Sequence, residues 1–332
     1  MSKHALSASC LKLVAAVEAG LTQSAEKGQL VRVACSGGPD SLALAAAVAV
    51  CSGRDSRIRA EALVVDHQLQ DDSAQVAERA VRQVEALGLP ARSVKVTVPT
   101  SPDGPEAAAR GVRYGALRAA DSDGQRPDLV LLGHTTDDQA ETVLLGLLRG
   151  SGTRSLAGMP ESFGGRPRMW RPFLGLRRAD TEQACADWGL EPWHDPHNSQ
   201  ERFTRSRIRH NVMPVLAGEL GPAVVESLAR TAELAREDAD LLDRLAREAL
   251  VDVAIELPDA VALECVGLAA QPDALQGRIV RQWLVGSGVQ APDFERTRAI
   301  LELVRQWHGQ KAIDLAGGRH IERRAGQLRI SQ

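Results

Sequence analysis

The six residues Ser36-Gly37-Gly38-Pro39-Asp40-Ser41 constrain this chain more than any other segment. They stand between an apolar, β-branched run from Leu30 to Cys35 and an apolar helical run that begins at Leu42. Glycines in such a strand-to-helix turn let backbone N–H groups approach an anion, and the helix N-terminus adds its positive end. Ser36 and Ser41 add hydroxyl donors, so the segment reads as a phosphate cradle. It lacks the lysine of the G-x-x-x-x-G-K-S/T nucleotide loop and therefore suits a pyrophosphate leaving group rather than a γ-phosphate presented for transfer. Asp40 is placed to help hold magnesium. A bare Ser-Gly-Gly fragment also reads as an ordinary turn with a capped helix; the whole hexapeptide in this setting favours the cradle.

The surrounding pattern predicts an α/β fold with a doubly wound parallel sheet. Short β-branched runs alternate with alanine- and leucine-rich amphipathic stretches from Leu30 to Gly150. The expected strands are Leu30 to Cys35, Ile58 to Asp66, Arg92 to Val98 and Asp128 to Gly133. Ligands of open sheets bind outside the carboxyl ends of the strands, and those ends carry Ser36, Asp66, His67, Gly133 and His134. Between Gly150 and Asn211 periodicity weakens while Gly, Pro and Arg accumulate, which predicts an irregular basic segment. A long helix is expected from Gly221 to Leu250, then helices around Leu275 to Val285 and Pro292 to Trp307. A strand near Ile313 should turn at Gly317-Gly318 into His320 to Arg323. The expected domains are 1–218 and 219–332, the second smaller and mainly helical.

A length of 332 residues favours two domains, and 44% hydrophobic with 25% charged residues is the balance of a soluble globular protein. The first thirty residues have neither an uninterrupted apolar segment nor a cleavage site, and no stretch reaches the roughly 20 apolar residues that cross a bilayer. A cytoplasmic protein without membrane contact is the expectation. Cys10, Cys35, Cys51, Cys185 and Cys265 are too scattered for a zinc or redox pair and read as reduced structural thiols. A net charge of −3 places any affinity for RNA in local arginine clusters rather than in the overall field. Such clusters run from Arg149 through Arg154, Arg166, Arg168, Arg171, Arg177 and Arg178, and again through Arg202, Arg205, Arg207, Arg209 and His210. The plainer reading of them is a solvated surface. Aromatic residues are only 3%, so no single-strand stacking platform beyond one or two residues is expected, and Trp188 and Trp193 read as core.

The hexapeptide resembles the signature of the N-type ATP pyrophosphatases, or PP-loop superfamily, which cleave ATP to AMP and pyrophosphate while adenylating an oxygen. Gly133-His134-Thr135-Thr136-Asp137-Asp138-Gln139-Ala140-Glu141-Thr142, continuing to Leu148-Arg149-Gly150-Ser151-Gly152, is similar to the tRNA(Ile)-lysidine synthetase family. So are Glu106-Ala107-Ala108-Ala109-Arg110 with Arg113 and Tyr114, and Asp66-His67-Gln68-Leu69. Asp195 with Asn198, and Arg205-Ser206-Arg207-Ile208-Arg209-His210 ending at Pro214, extend the likeness over most of residues 30–214. Two positions depart from the family pattern: Thr135 stands where a second His is common, and Ser206 where Asn is usual.

The resemblance implies a ligase that uses ATP and Mg2+. The wobble cytidine of the isoleucine tRNA with a CAU anticodon is adenylated at its C2 oxygen, and free L-lysine then displaces AMP to give lysidine. The 1–218 domain would carry the adenylation, and 219–332 a linker helix and a tRNA-contacting domain. Ser36, Gly37, Gly38, Pro39, Asp40, Ser41, Asp66 and His67 are the expected ATP contacts, with Asp40 at the metal. Lysine's ammonium ionises near a pKa of about 10.4, so the site needs acceptors that hold it and take a proton. Asp137 is the expected group and Asp138 a substrate contact, although two acids at a helix start also satisfy its dipole. His134 could touch the adenylate or base, or merely fix its loop. Arg110 and Arg113 lie three apart on one helix face and suit phosphate charge, Arg113 the more so; the alternative is an ordinary exposed face. Arg205 and Arg207 are the expected grips on tRNA. Rival readings are a tRNA thiolase of the same superfamily, which the unpaired cysteines disfavour, and a non-catalytic RNA- or nucleotide-binding protein. A homodimer is compatible with the sequence but not indicated by it.

Overall fold

A computed structural model describes residues 6–24, 29–68, 72–99, 105–120, 123–150, 152–193, 204–258 and 260–331. Leu69, Ser151, Asp195, Asn198 and Arg202 lie outside the described residues. The chain divides into two compact units, Met1–Leu145 with Met159–Arg230, and Gly146–Gly158 with Thr231–Gln332. This division differs from a single cut at residue 218. Residues 219–230 go with the first unit, where Val225 is buried and Glu226 pairs with Arg177, and Gly146–Gly158 goes with the second, where Arg154 pairs with Asp240 and Asp243.

In the first unit, β1 (Leu30–Cys35), β2 (Arg59–Asp66), β3 (Ala91–Lys95), β4 (Leu129–Leu131) and β6 (Arg168–Trp170) are parallel. A two-residue antiparallel edge, β5 (Ser162–Phe163), completes the order β3-β2-β1-β4-β6-β5. Strand order reverses at β1 and β4, which opens a crevice above their carboxyl ends, where Ser36 and His134 follow. Helix α1 (Ala8–Ser24) packs with α2 (Pro39–Arg54), which is buried along almost its whole length, as its alanine run requires. Helices α3 (Ser73–Ala86) and α4 (Pro105–Arg118) complete the crossovers. Then follow α5 (Thr136–Arg149), α6 (Thr153–Leu156), α7 (Arg178–Asp187), α8 (Thr204–Arg207), a π-helical turn Ile208–Val212, α9 (Met213–Leu220) and α10 (Val224–Val253). Trp188, at the end of α7, packs against the core as expected. No single helix among the described residues is long and apolar enough to cross a membrane.

The second unit contains a five-stranded antiparallel sheet, ordered β7-β8-β11-β10-β9, beside its helices. The strands are β7 (Ala254–Glu256), β8 (Val261–Glu264), β9 (Ile313–Asp314), β10 (His320–Arg324) and β11 (Gln327–Ser331), and the further helices α11 (Cys265–Ala270), α12 (Asp273–Gly286) and α13 (Phe294–Arg305). The expected pairing of Ile313 with the His320 strand is present, Ile313 facing Ile321. A mainly helical unit is an incomplete description, because β7, β8 and β11 escape a sequence reading: the first two are three and four residues long, too short for alternation to register. Leu263, Ile321 and Leu328 join Ile279, Trp283 and Ile300 in one apolar core.

Arg32 is fully buried in the middle of β1. Its Nε donates to Glu61 on β2 at 2.6 Å, and Nη1 donates to the carbonyls of Leu117 and Ala119 at 3.0 and 2.6 Å. One charge thus ties the central strand to its neighbour and to the C-terminal end of α4, where unpaired carbonyls concentrate negative potential. Arg32→Ala leaves buried acceptors without a donor and is expected to cost about 3 kcal/mol, read from the urea midpoint; a cost below about 1 kcal/mol would contradict this role.

Candidate active site

The loop after β1 is held by one hydroxyl. Ser41 Oγ accepts from the Ser36 amide at 3.1 Å, lies 3.2 Å from Ser36 Oγ, and donates to the Gly38 carbonyl at 3.0 Å. Gly37 has φ +82°, a left-handed conformation that favours glycine, and its carbonyl accepts from the Trp193 amide at 2.9 Å. Gly38 begins α2 in extended conformation with no side chain capping the helix, so first-turn N–H groups remain for an anion. Above the loop, Gly133 runs so close that a Cβ there would lie 2.8 Å from the Asp40 carbonyl oxygen. The approach of β4's end to the start of α2 therefore requires glycine.

Asp40, in the first turn of α2, meets α7. Its Oδ1 accepts from the Thr181 hydroxyl, and its Oδ2 lies 3.6 Å from Arg178 Nε. Burial pushes its carboxyl up from the usual 3.8 to about 6, reinforced by Asp138 and opposed by Thr181, Arg178 and Arg209.

The two acids at the start of α5 are both engaged. Arg177 grips Asp137 with Nε and Nη2, each at 3.1 Å, and the Arg178 amide donates to the same carboxylate at 2.8 Å. Asp138 accepts from the Thr135 amide and hydroxyl at 2.9 and 3.0 Å, which caps the helix, and from Arg178 and Arg209 at 3.0 and 2.9 Å. Burial works against ionisation of both, yet the arginines win and hold each carboxyl below its usual range. Glu141, one turn further and 1% exposed, accepts from Arg209 Nε at 2.7 Å and Arg205 Nε at 3.1 Å. A cavity of about 200 Å³ adjoins these groups, lined by Asp137, Glu141, Arg177, Arg178 and Arg209 and otherwise by the apolar Met213, Pro214, Ala217 and Val225.

His134 follows β4, and Arg171, at the end of β6, donates to its Nδ1 at 3.3 Å. Burial, opposed by the charge of Asp138 and reinforced by those of Arg171, Arg113 and Arg205, pushes His134 down to about 3, so the ring is neutral. His67 is likewise lowered, first by burial and then by Arg113, and its buried Nδ1 has no hydrogen-bond partner among the described residues. Arg113 is itself lowered by burial and forms no ion pair with a carboxylate among the described residues. Asp66 is buried, its carboxylate accepting from the Gln68 amide at 2.9 Å.

The fold therefore assembles Ser36–Ser41, Asp40, His134, Asp137 and Asp138, with the charge of Arg113 acting on both histidines. Arg205 turns inward to Glu141 and to the Thr142 hydroxyl at 2.8 Å. Arg110 and Arg207 are exposed, the former donating to the Tyr114 hydroxyl and the latter to that of Thr204. Arg205 and Arg207 do not act as a pair: helical geometry puts Arg205 and Arg209 on one face and Arg207 outside. Arg178, Glu141, Arg171 and Thr181 are site residues that motif reasoning left without a role, and Arg209, read with the RNA-facing basic run, donates to Asp138 and Glu141. The four-residue spacing of Arg205 and Arg209 was the available signal.

Residues 11–216 match the PP-loop domain, and residues 263–329 match the TilS substrate binding domain. A tRNA(Ile)-lysidine synthase from Thermobifida fusca is 47% identical over 307 residues, covering 92% of each chain. This chain belongs to the tRNA(Ile)-lysidine synthase family. Family members from Leifsonia xyli subsp. xyli and Nocardia farcinica are each 50% identical, covering 89% and 87% of this chain and 87% and 86% of theirs. Among solved structures, a U34-tRNA thiolase from Methanococcus maripaludis superposes with a TM-score of 0.57 at 18% identity, over 69% of this chain and 80% of that one, which shows a shared fold.

Two outcomes test this geometry. Gly133→Ala should force the Asp40 backbone away and lower turnover at least tenfold, about 1.4 kcal/mol, while circular dichroism stays native. Asp40 is ionised above about 3.8 when unfolded but only above about 6 when folded, so it disfavours folding increasingly across that window. In metal-free buffer Asp40→Asn should gain stability relative to the parent as pH rises through it; a constant difference would refute the buried, raised carboxyl.

Proposed function

We propose that this chain makes lysidine in the isoleucine tRNA with a CAU anticodon, through the adenylate of the wobble cytidine. The observation that carries the reading is the uncapped N-terminus of α2 behind Gly37, placed beside Asp40 and the strand end that bears His134. Those amides suit the phosphates of ATP, and the buried Nδ1 of His67, without a partner among the described residues, suits a further polar contact to the nucleotide. Asp40, whose Oδ2 makes a long contact to Arg178, would fit as one carboxylate ligand of Mg2+; the ion would neutralise the departing pyrophosphate.

The cytidine C2 oxygen attacks the α-phosphorus of ATP, and pyrophosphate leaves toward the Ser36–Ser41 cradle. Arg113 offsets the charge of that step and His134 donates a hydrogen bond. The free amine of lysine then attacks C2, AMP departs with the oxygen, and the amine gives up its proton. The cavity beside Asp137 and Glu141 is large enough for one amino acid. There the lysine ammonium competes with Arg177 for Asp137, while arginines can receive the α-carboxylate. Asp138 and Arg205 shape this pocket, and the exposed Arg110 and Arg207 suit the tRNA backbone. The second unit serves as a tRNA contact, and the enzyme works in the cytoplasm.

All five cysteines are buried, and burial raises every one of their thiols, which supplies no exposed thiolate for sulfur transfer. AMP release from ATP with purified tRNA should require lysine; dependence on a sulfur donor, or no AMP at all, overturns the proposal. Asp40→Asn should lower lysine incorporation at saturating ATP by about 100-fold or more.

A further inference from the structure

His134 and Arg171 are delivered side by side because β4 and β6 are parallel neighbours, with the Leu132 amide donating to the Trp170 carbonyl at 2.8 Å just before them. Arg171 is 3% exposed and held from several directions. Its Nη1 donates to the Pro160 carbonyl, its guanidinium lies 4.5 Å over the Phe163 ring, and its amide donates to the Glu161 carbonyl at 2.9 Å. Its Nε points to His134 Nδ1 at 3.3 Å. A guanidinium has donors only and keeps its charge, so the nitrogen facing it must present a lone pair. An imidazolium, or the tautomer with its proton on Nδ1, would set N–H against N–H beside a buried cation.

We propose that Arg171 is a positioning residue that fixes His134 as a neutral ring with its proton on Nε2, so that this histidine can give a hydrogen bond to the reacting nucleotide but cannot take a proton there. The inference rests on the reading of the site as an adenylating centre. It divides the labour: His134 steadies charge that develops on the adenylate, and proton acceptance falls to a carboxylate or water. The rigid fixing of Arg171 by Pro160 and Phe163 lets one tautomer persist through both steps without reorganisation.

Nitrogen-15 NMR of histidine-labelled protein, with His134→Asn to assign the signal, reads the tautomer directly and without substrate. The expected result is a pyridine-type Nδ1 and a pyrrole-type Nε2; a protonated Nδ1 overturns the proposal, whatever the variants do. Arg171→Met should mix the tautomers and lower kcat for lysidine formation about 100-fold with little change in KM for ATP or lysine. In a His134→Asn background, whose amide has no tautomer to set, the same change should cost less than about threefold. An equal loss in both backgrounds would mark Arg171 as merely structural and overturn the proposal. A chain that lacked lysidine synthesis would leave the NMR result standing, whereas a wrong tautomer would leave lysidine synthesis standing.

Discussion

Asp138 and Glu141 are buried carboxylates, and most of the ligand end of the first unit is arranged to satisfy them. Arg178, Arg205 and Arg209 converge on the pair from two segments that follow the sheet by many residues. A buried carboxylate left without a partner costs several kcal/mol, so the segments that bear those arginines have to return to the face of α5. Charge, more than apolar periodicity, shapes the chain here. That is why the region after β6 looks irregular by pattern and yet has a defined course.

The same network separates two kinds of positive charge. Arg177, Arg178, Arg205 and Arg209 are committed to acids, and they set the shape of the pocket. In the proposed function, phosphate binding falls to backbone N–H groups at α2 and to Arg113, whose charge bears on His67 and His134. Amides fixed by a helix do not reorganise when charge develops, which suits a leaving pyrophosphate better than a mobile lysine would. Asp40 sits between the two systems, on α2 by sequence and against Thr181 and Arg178 by contact. Its raised carboxyl is stability given up at the position proposed to hold magnesium.

Much of this was legible in advance. The parallel sheet could be read because β1, β2 and β4 are largely buried and appear as short, mostly apolar runs, interrupted by Arg32 in β1 and Glu61 in β2. The cradle could be read because Gly37 needs a left-handed conformation and Ser41 a local partner, both short-range demands. Arg171 could not be assigned a role, since its partners Pro160, Phe163 and His134 meet it only after three strands have paired. The short strands β7 and β8 stayed hidden because strand pairing, not local alternation, stabilises them.

By itself the sequence determined the class of fold, the phosphate loop and the set of polar residues near it, because spacing along the chain decides which groups follow a strand or share a helix face. Only the tertiary structure decided what each polar group is free to do. Asp137 is bound by Arg177, Arg207 faces outward while Arg205 turns in, and His134 receives a donor on Nδ1. Ionisation and hydrogen bonding depend on burial and on neighbours remote in sequence, and those are set when the elements pack.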